Sequence, residues 1–471
     1  MKTKQVLSLL LAGVMAVAML SGCGAASSSA PASSAATASS TAASSSAPAS
    51  SSTPAIPENE VTGDPSSKDA FVIWGWNTDF DNIKKVLEKN DKTMADRIVF
   101  VNAGGSDYYQ DKIDEILQDP SNELYPDMML LEVDYVKKYV NSDYLMDVKD
   151  LGITADDMKN MYNYNIQLGT DAGGSTRALF WQATPGSLQV RADLAEKYLG
   201  TTDAAQLQEK YFSSWDKIVA AAKTVNEASG GKVKLLSGYS DVIRIFLNSA
   251  RKVGWYDNND VIQVDDLMLQ YMDLAKTLYT DGTTFNTTQW GTDWAAQKDG
   301  DGAATEAAIA YCGCPWYTYW CLTDTWKANT ILVQGPAQFY WGGTGIAATK
   351  DCADKDMAGK LMKLITCDTD FMTQINAQNG DYVNNKEVIS YLLKNNLGNS
   401  DKMFGDQNLI DFYSKSADNI DASTVTDVDQ KTQSLFQTQV DAYAAGEKDK
   451  DAAIADFKAS VHDLYSFLKV S

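Results

Sequence analysis

Histidine occurs once in the 471 residues, at position 462. That scarcity excludes most serine or cysteine triad chemistry, because His462 would have to be the base. It also removes most zinc chemistry, which draws on several His and Cys ligands. Positive charge is scarce as well: 40 Lys and Arg stand against 62 Asp and Glu, for a formal net charge of −22. Such a surface repels a polyanion, so nucleic acid is excluded as a partner. Beyond the first residues no apolar run approaches the ~20 residues of a spanning helix. What the chain has in quantity is aromatic surface, with 11 Trp and 23 Tyr. Its length leaves room for about three domains at ~150 residues each. These counts describe an acidic, extracellular, globular chain with no cofactor or metal expected.

Lys2 and Lys4 precede an apolar run from Val6 to Leu20, which is too short and wrongly flanked for a membrane span. The run ends in Leu20-Ser21-Gly22-Cys23. That tetrapeptide resembles the bacterial lipobox, which implies that residues 1–22 are a signal peptide and that Cys23 carries lipid. An ordinary secretory signal followed by a free cysteine is the other reading. From Ala25 to Ala55 every residue is Ala, Ser, Thr or Pro. Such a stretch cannot bury enough apolar area to offset its ordering entropy, so residues 23–67 read as a lipidated tether. The body is then expected at the outer face of a bacterial cell membrane.

The body runs from about Lys68 to Ser471. Phe71-Val72-Ile73-Trp74 reads as a strand, followed by the loop Gly75-Trp76-Asn77-Thr78-Asp79. Ile83, Val86 and Leu87 then fall on one helix face. Ile98 to Val101 and Met128 to Leu131 give two more strands, separated by a helix from about Tyr108 to Leu117. Alternation of this kind predicts a largely parallel α/β sheet, with a ligand crevice at the carboxyl ends of its strands. Further strands are expected at Ala178–Trp181, Leu188–Val190, Ala308–Tyr311, Thr330–Val333 and Gly345–Ala348. Helices are expected at Trp215–Val225, Val242–Val253, Leu267–Tyr279 and Lys355–Ile365. The last hundred residues read as mainly helical.

Several short motifs follow one another in a telling order. They are Val72-Ile73-Trp74, Pro126-Asp127 before a strand, and Phe180-Trp181 leading through Pro185-Gly186 to Arg191-Ala192-Asp193-Leu194. Ser214-Trp215-Asp216, Gly335-Pro336, Trp341-Gly342-Gly343 and the C-terminal Lys450-Asp451-Ala452-Ala453-Ile454 complete the series. No single piece is specific, but the ordered set resembles the extracellular solute-binding proteins of ABC transporters, in the carbohydrate-binding family 1. The resemblance covers the body from Lys68 to about Lys469. It implies a two-lobed, periplasmic-binding-protein-like (type II) α/β fold with a ligand cleft between the lobes. The first lobe would hold residues 68–180 plus about 343–380, and the second 186–335 plus about 385–471, with a first crossing near Gln182 to Gly186. It implies a monomer that captures an oligosaccharide and hands it to permease subunits in the membrane, and that is not an enzyme. Cys312-Gly313-Cys314-Pro315-Trp316 departs from the family's simpler Gly-x-Trp strand end, which puts the geometry at Trp316 in question.

Sugars present apolar C–H faces ringed by hydroxyls, so their sites need flat aromatic platforms beside carboxylate and amide acceptors. Trp76, Asn77 and Asp79 follow the first strand, where a crevice loop belongs; Trp76 reads equally as a packing residue. Asp107 serves either as ligand contact or as helix cap. Glu132 follows the third strand, with Asp134 reading more as a solvated loop acid. Trp181 stands at the presumed crossing and is expected to line the cleft. Trp316 and Trp341 match positions that look like family platforms, and Tyr239 is added from the second lobe. Trp255, Trp290, Trp294, Trp320 and Trp326 stay unassigned, and some must be core.

Cys312, Cys314 and Cys321 lack a fourth zinc ligand nearby and read as core thiols or one disulfide, while Cys352 and Cys367 could pair. Asp299-Gly300-Asp301-Gly302 lacks the acidic spacing of a calcium loop and reads as a polar turn. Two alternatives stand beside the sugar receptor: a secreted glycoside hydrolase working through paired carboxylates, and a receptor for a non-sugar ligand.

Overall fold

The computed structural model describes residues 58–397, 404–405 and 407–470. Cys23, the leader and most of the Ala/Ser/Thr/Pro segment lie outside these residues. Two separate sheets organise the body. In the first, Glu60–Thr62 (β1) lies antiparallel to Ile98–Asn102 (β3), and Phe71–Gly75 (β2) runs parallel to β3 and to Met128–Glu132 (β4). β2 is buried along its whole length, as are the first four residues of β3 and β4. Continuous apolar runs suit strands covered on both faces, which is the condition of a parallel sheet. Leu179–Phe180 (β5) and Thr344–Ala348 (β10) complete the order β1-β3-β2-β4-β10-β5.

The expected largely parallel sheet is therefore parallel only at its centre. β10 pairs antiparallel with both β4 and β5, because the chain reaches it on return from the second sheet. That second sheet has the order β7-β8-β6-β9, from Val233–Leu236 (β7), Ala307–Gly313 (β8), Ser187–Arg191 (β6) and Thr330–Val333 (β9). Only β7 and β8 are parallel; β6 is antiparallel to both its neighbours.

Helices cover both sheets. Helix Asp79–Asn90 turns Phe80, Ile83, Val86 and Leu87 inward on one face. Helix Trp215–Ser229 is capped by the Ser214 hydroxyl, which accepts from Lys217 N at 3.3 Å, and it ends at Gly230 in the left-handed conformation. Helices Lys355–Thr366 and Thr369–Asn379 pack on the first sheet's side, whereas Asp429–Ala444 pairs with Lys450–Leu464 against Asp266–Thr280 on the other.

The chain passes between the sheets in three places, and the passages are bonded to one another. Ala183 N donates to Tyr382 O (2.8 Å), Asn384 N to Trp181 O (2.8 Å), Gly186 N to Phe339 O (2.7 Å) and Trp341 N to Thr184 O (3.0 Å). The Gln182 carboxamide joins the other two passages, accepting from Thr344 N and donating to Asp381 Oδ1, both at 3.0 Å. Gly186 is required by space: a Cβ there would stand 2.2 Å from the Phe339 ring.

The helix expected over Val242–Val253 is cut short. Residues Ile243–Leu247 are helical, and the chain then leaves to satisfy other partners. Asn248 Nδ2 donates to Tyr340 O (2.9 Å), and the Asp265 carboxylate takes the Lys252 and Val253 amides (2.7 and 3.0 Å). All five cysteines among the described residues are unpaired, so Cys352 and Cys367 do not bridge, and burial pushes the Cys312 and Cys314 thiols well up. The 299–302 loop turns on the Asp301 carboxylate, which accepts from the Ala303, Ala304 and Thr305 amides at 2.9–3.0 Å.

Candidate functional site

The carboxyl ends of β2 and β4 deliver the first half of the site. Past β2, Trp76 is half-buried and meets the rings of Tyr109 (5.4 Å, edge-on) and Tyr135 (6.1 Å, edge-on). Tyr109 is fixed by its own hydroxyl, which donates to Leu130 O at 2.6 Å. The buried Tyr135 hydroxyl has no hydrogen-bond partner among the described residues. Asn77 Oδ1 accepts from Asp79 N (3.0 Å) and so starts the following helix. Past β4, Glu132 Oε2 accepts from Asp134 N (2.7 Å). Burial, with help from the neighbouring Asp134 charge, holds the Glu132 carboxyl well above the usual range, against the pull of Arg244.

The other half comes from the second sheet. After β7 the chain turns through Tyr239–Val242, where the buried Asp241 accepts from Gly238 N (3.2 Å) and Trp294 Nε1 (2.6 Å). Burial raises its carboxyl to about 7. Arg244 follows and reaches across to the first half, its Nη1 donating to Asp134 Oδ1 at 2.6 Å. The guanidinium also lies 5.9 Å from the centre of the Trp341 ring, within reach of a cation–π contact. After β8, Pro315 opens the short helix Pro315–Trp320 and sets Trp316 at its start. Trp316 Nε1 donates to Trp341 O (2.9 Å), and the two rings stand edge-on at 5.1 Å. The departure from the family's strand end thus leaves Trp316 placed against Trp341.

Gly342 is the point where these groups converge. It holds a left-handed φ of 65°, and a Cβ there would lie 3.0 Å from Trp316 Nε1 and 3.2 Å from Glu132 Oε1. Glu132, Trp316 and Trp341 therefore meet, with Asp134 and Arg244 beside them and Trp76 linked through Tyr135. A gap next to this cluster, lined by Asp134, Asn248, Tyr340 and Asp429 among others, measures only about 10 Å³, room for one water at most.

Other expected site residues sit elsewhere. Trp181 is fully buried; its carbonyl accepts from Asn384 N, and its side chain bonds the Asp381 carboxylate. It packs the crossing and lines no cleft, which corrects the expectation. The reason is that residues 381–384, in the third passage that the expected lobe bounds already imply, close over it. Asp79 stands by Asp381, and burial followed by the Asp381 charge raises its carboxyl to about 7. Tyr239 turns away to Asp441, donating to Oδ1 at 2.8 Å. Asp107 lies in the first turn of helix Ser106–Ile116, and its side chain is outside the described residues. Sequence reading missed Arg244 and gave Asp134 a solvent role. No spacing signal ties these two together, since 110 residues separate them.

No family model matches this chain, and no curated protein does. Solved structures do. The crystal structure of an extracellular solute-binding protein family 1 superposes with a TM-score of 0.70 at 16% identity, covering 82% of this chain and 97% of the other. The fold is that of the extracellular solute-binding proteins. An ABC transporter associated binding protein from B. animalis subsp. lactis, solved with β-1,6-galactobiose, matches at a TM-score of 0.66 and 16% identity over 86% and 99% of the two chains. The galacto-N-biose/lacto-N-biose I-binding protein from Bifidobacterium longum, solved with lacto-N-biose, gives 0.64 and 17% over 85% and 98%. The Arg244–Asp134 ion pair thus joins a residue that follows β7 of one sheet to a residue that follows β4 of the other.

Proposed function

We propose that this chain is a lipid-anchored receptor that captures an oligosaccharide between its lobes and delivers it to the permease of an ABC transporter. The observation that carries this reading is the convergence at Gly342 of Trp316, Trp341 and Glu132, drawn from both lobes and from the passage between them. Flat rings beside hydroxyl acceptors are what a sugar needs, and the neighbouring folds solved with galactobiose and lacto-N-biose support the ligand class. Trp76, Asn77, Asp79 and Tyr239 belong to the same proposal as outer or supporting contacts. The lobes are taken as 68–180 plus about 343–380 and 186–335 plus about 385–471. Cys23 and the tether would hold this monomeric body at the outer face of the membrane.

The receptor reading includes no catalysis. Two carboxylate pairs are present, Asp79 with Asp381, both buried, and Glu132 with Asp134 at the tryptophan cluster, where Asp134 is already held by Arg244. A thermal-shift screen of the full-length chain against oligosaccharides tests both readings. One glycan series should raise the melting temperature, since ligand well above its dissociation constant adds roughly 3 kcal/mol, and that glycan should be recovered intact. Cleaved product would make the chain a hydrolase, and silence across all sugars would end the carbohydrate reading.

A further inference from the structure

Trp290 is held in a conformation that a tryptophan does not choose. Its φ is 71°, in the left-handed region where a bulky L-residue is an outlier and where strain gathers at ligand clamps. The other non-glycine residues in this region, among those described, are Asp260, Asn286, Asn396 and Ala328. Three of these have the short polar side chains that tolerate it, and none is aromatic. Burial does not account for the choice either, because Trp290 is 40% exposed. What the conformation does achieve is placement. The ring leans on Trp294 (5.1 Å), Trp341 (5.7 Å) and Tyr317 (6.3 Å). Trp294 is anchored in turn by its bond to Asp241. The aromatic surface that starts at buried Trp341 thus continues outward to solvent through Trp290. The Gln289 side-chain nitrogen, one residue earlier, is buried with no hydrogen-bond partner among the described residues.

We infer that Trp290 forms an outer subsite that stacks one further sugar unit beyond those held at Trp316 and Trp341. The ligand is therefore a linear oligosaccharide long enough to run out of the cleft, not a mono- or disaccharide. The inference rests on the sugar-receptor reading above.

Calorimetric titration of the full-length chain with a disaccharide and the tetrasaccharide of the same series tests it, using a series that shifts the parent's melting temperature. Trp290→Gly accepts the backbone conformation without strain, so any loss reports the ring and not a collapsed turn. Its tetrasaccharide dissociation constant should rise by roughly three- to tenfold, the worth of one stacking contact. Disaccharide binding should stay at the parent's value, and Trp290→Phe should recover most of the loss. Equal binding of the tetrasaccharide by parent and Trp290→Gly overturns the subsite, and so does an equal loss at both chain lengths. A parent that binds no sugar at any length overturns the receptor reading itself, a result read before any variant is made.

Discussion

A tryptophan against Trp341 and a tryptophan inside the crossing answer differently to the same truncation. Trp316→Ala removes a half-buried ring with one bond, to Trp341 O, so its main effect should fall on sugar binding, by on the order of 1 kcal/mol or more. Trp181→Ala empties a fully buried site at the crossing and should cost about 3–5 kcal/mol of stability. Titration with sugar and chemical denaturation of both variants check the split. Gly342→Ala should mimic Trp316→Ala, because the added methyl meets the Trp316 and Glu132 side chains in a strained φ. At this scale the sequence was legible wherever a residue's position followed from its strand. Trp76, Glu132 and Trp316 each sit just past a strand end, where the alternation of elements puts the crevice. Arg244 was not legible, since an arginine in an apolar stretch does not show which distant acid will face it. The place of Trp181 at the crossing was legible, but its burial there was not, because that depends on its contacts with residues 381–384.

Elements show the same division. The buried runs of β2, β4 and β8 are explicit in the sequence, because four or more consecutive apolar residues have few other uses. The false extension of the 243–247 helix arose because apolar periodicity continues while Asn248 and Asp265 redirect the backbone. The turn Tyr239–Val242 also carries a pH response. Asp241 and Asp79 are raised to about 7 and Asp381 to about 6, in each case chiefly by burial. A carboxyl raised on folding favours the native state while protonated, so its contribution is full below its ordinary value of 3.8 and is lost as pH climbs through 6 to 7. Carboxyls pulled down by partners, such as Asp171 and Asp193, have finished titrating below that window. The melting temperature should therefore fall from about pH 5 to about pH 8, and Asp241→Asn should flatten the slope. A melting temperature that rises over that interval would contradict the assignment.

Across the whole molecule, distant parts of the chain are joined by the Arg244–Asp134 pair and by Gln110 Nε2 donating to Gln430 Oε1 at 2.8 Å. On the proposed receptor reading, a ligand enters between the lobes after these contacts part. Closure on that reading is a hinge motion, and the ligand acts by favouring the closed arrangement. The double variant Arg244→Ala, Asp134→Ala should enlarge the radius of gyration of the sugar-free protein in X-ray scattering, and saturating sugar should restore the parent's value. The two-lobed outline was legible as an order of motifs, whereas the way the lobes touch depends on side chains far apart in sequence. The antiparallel seat of β10 has one more consequence, for how the molecule is made. The apolar edge of β4 has no neighbour on that side until Thr344–Ala348 arrives, after the whole second sheet has been synthesised. Until then the growing chain carries an unpaired hydrophobic strand, the template on which chains aggregate. Fragments ending anywhere before residue 344 should precipitate, and correct assembly depends on keeping that edge covered until Thr344–Ala348 has emerged.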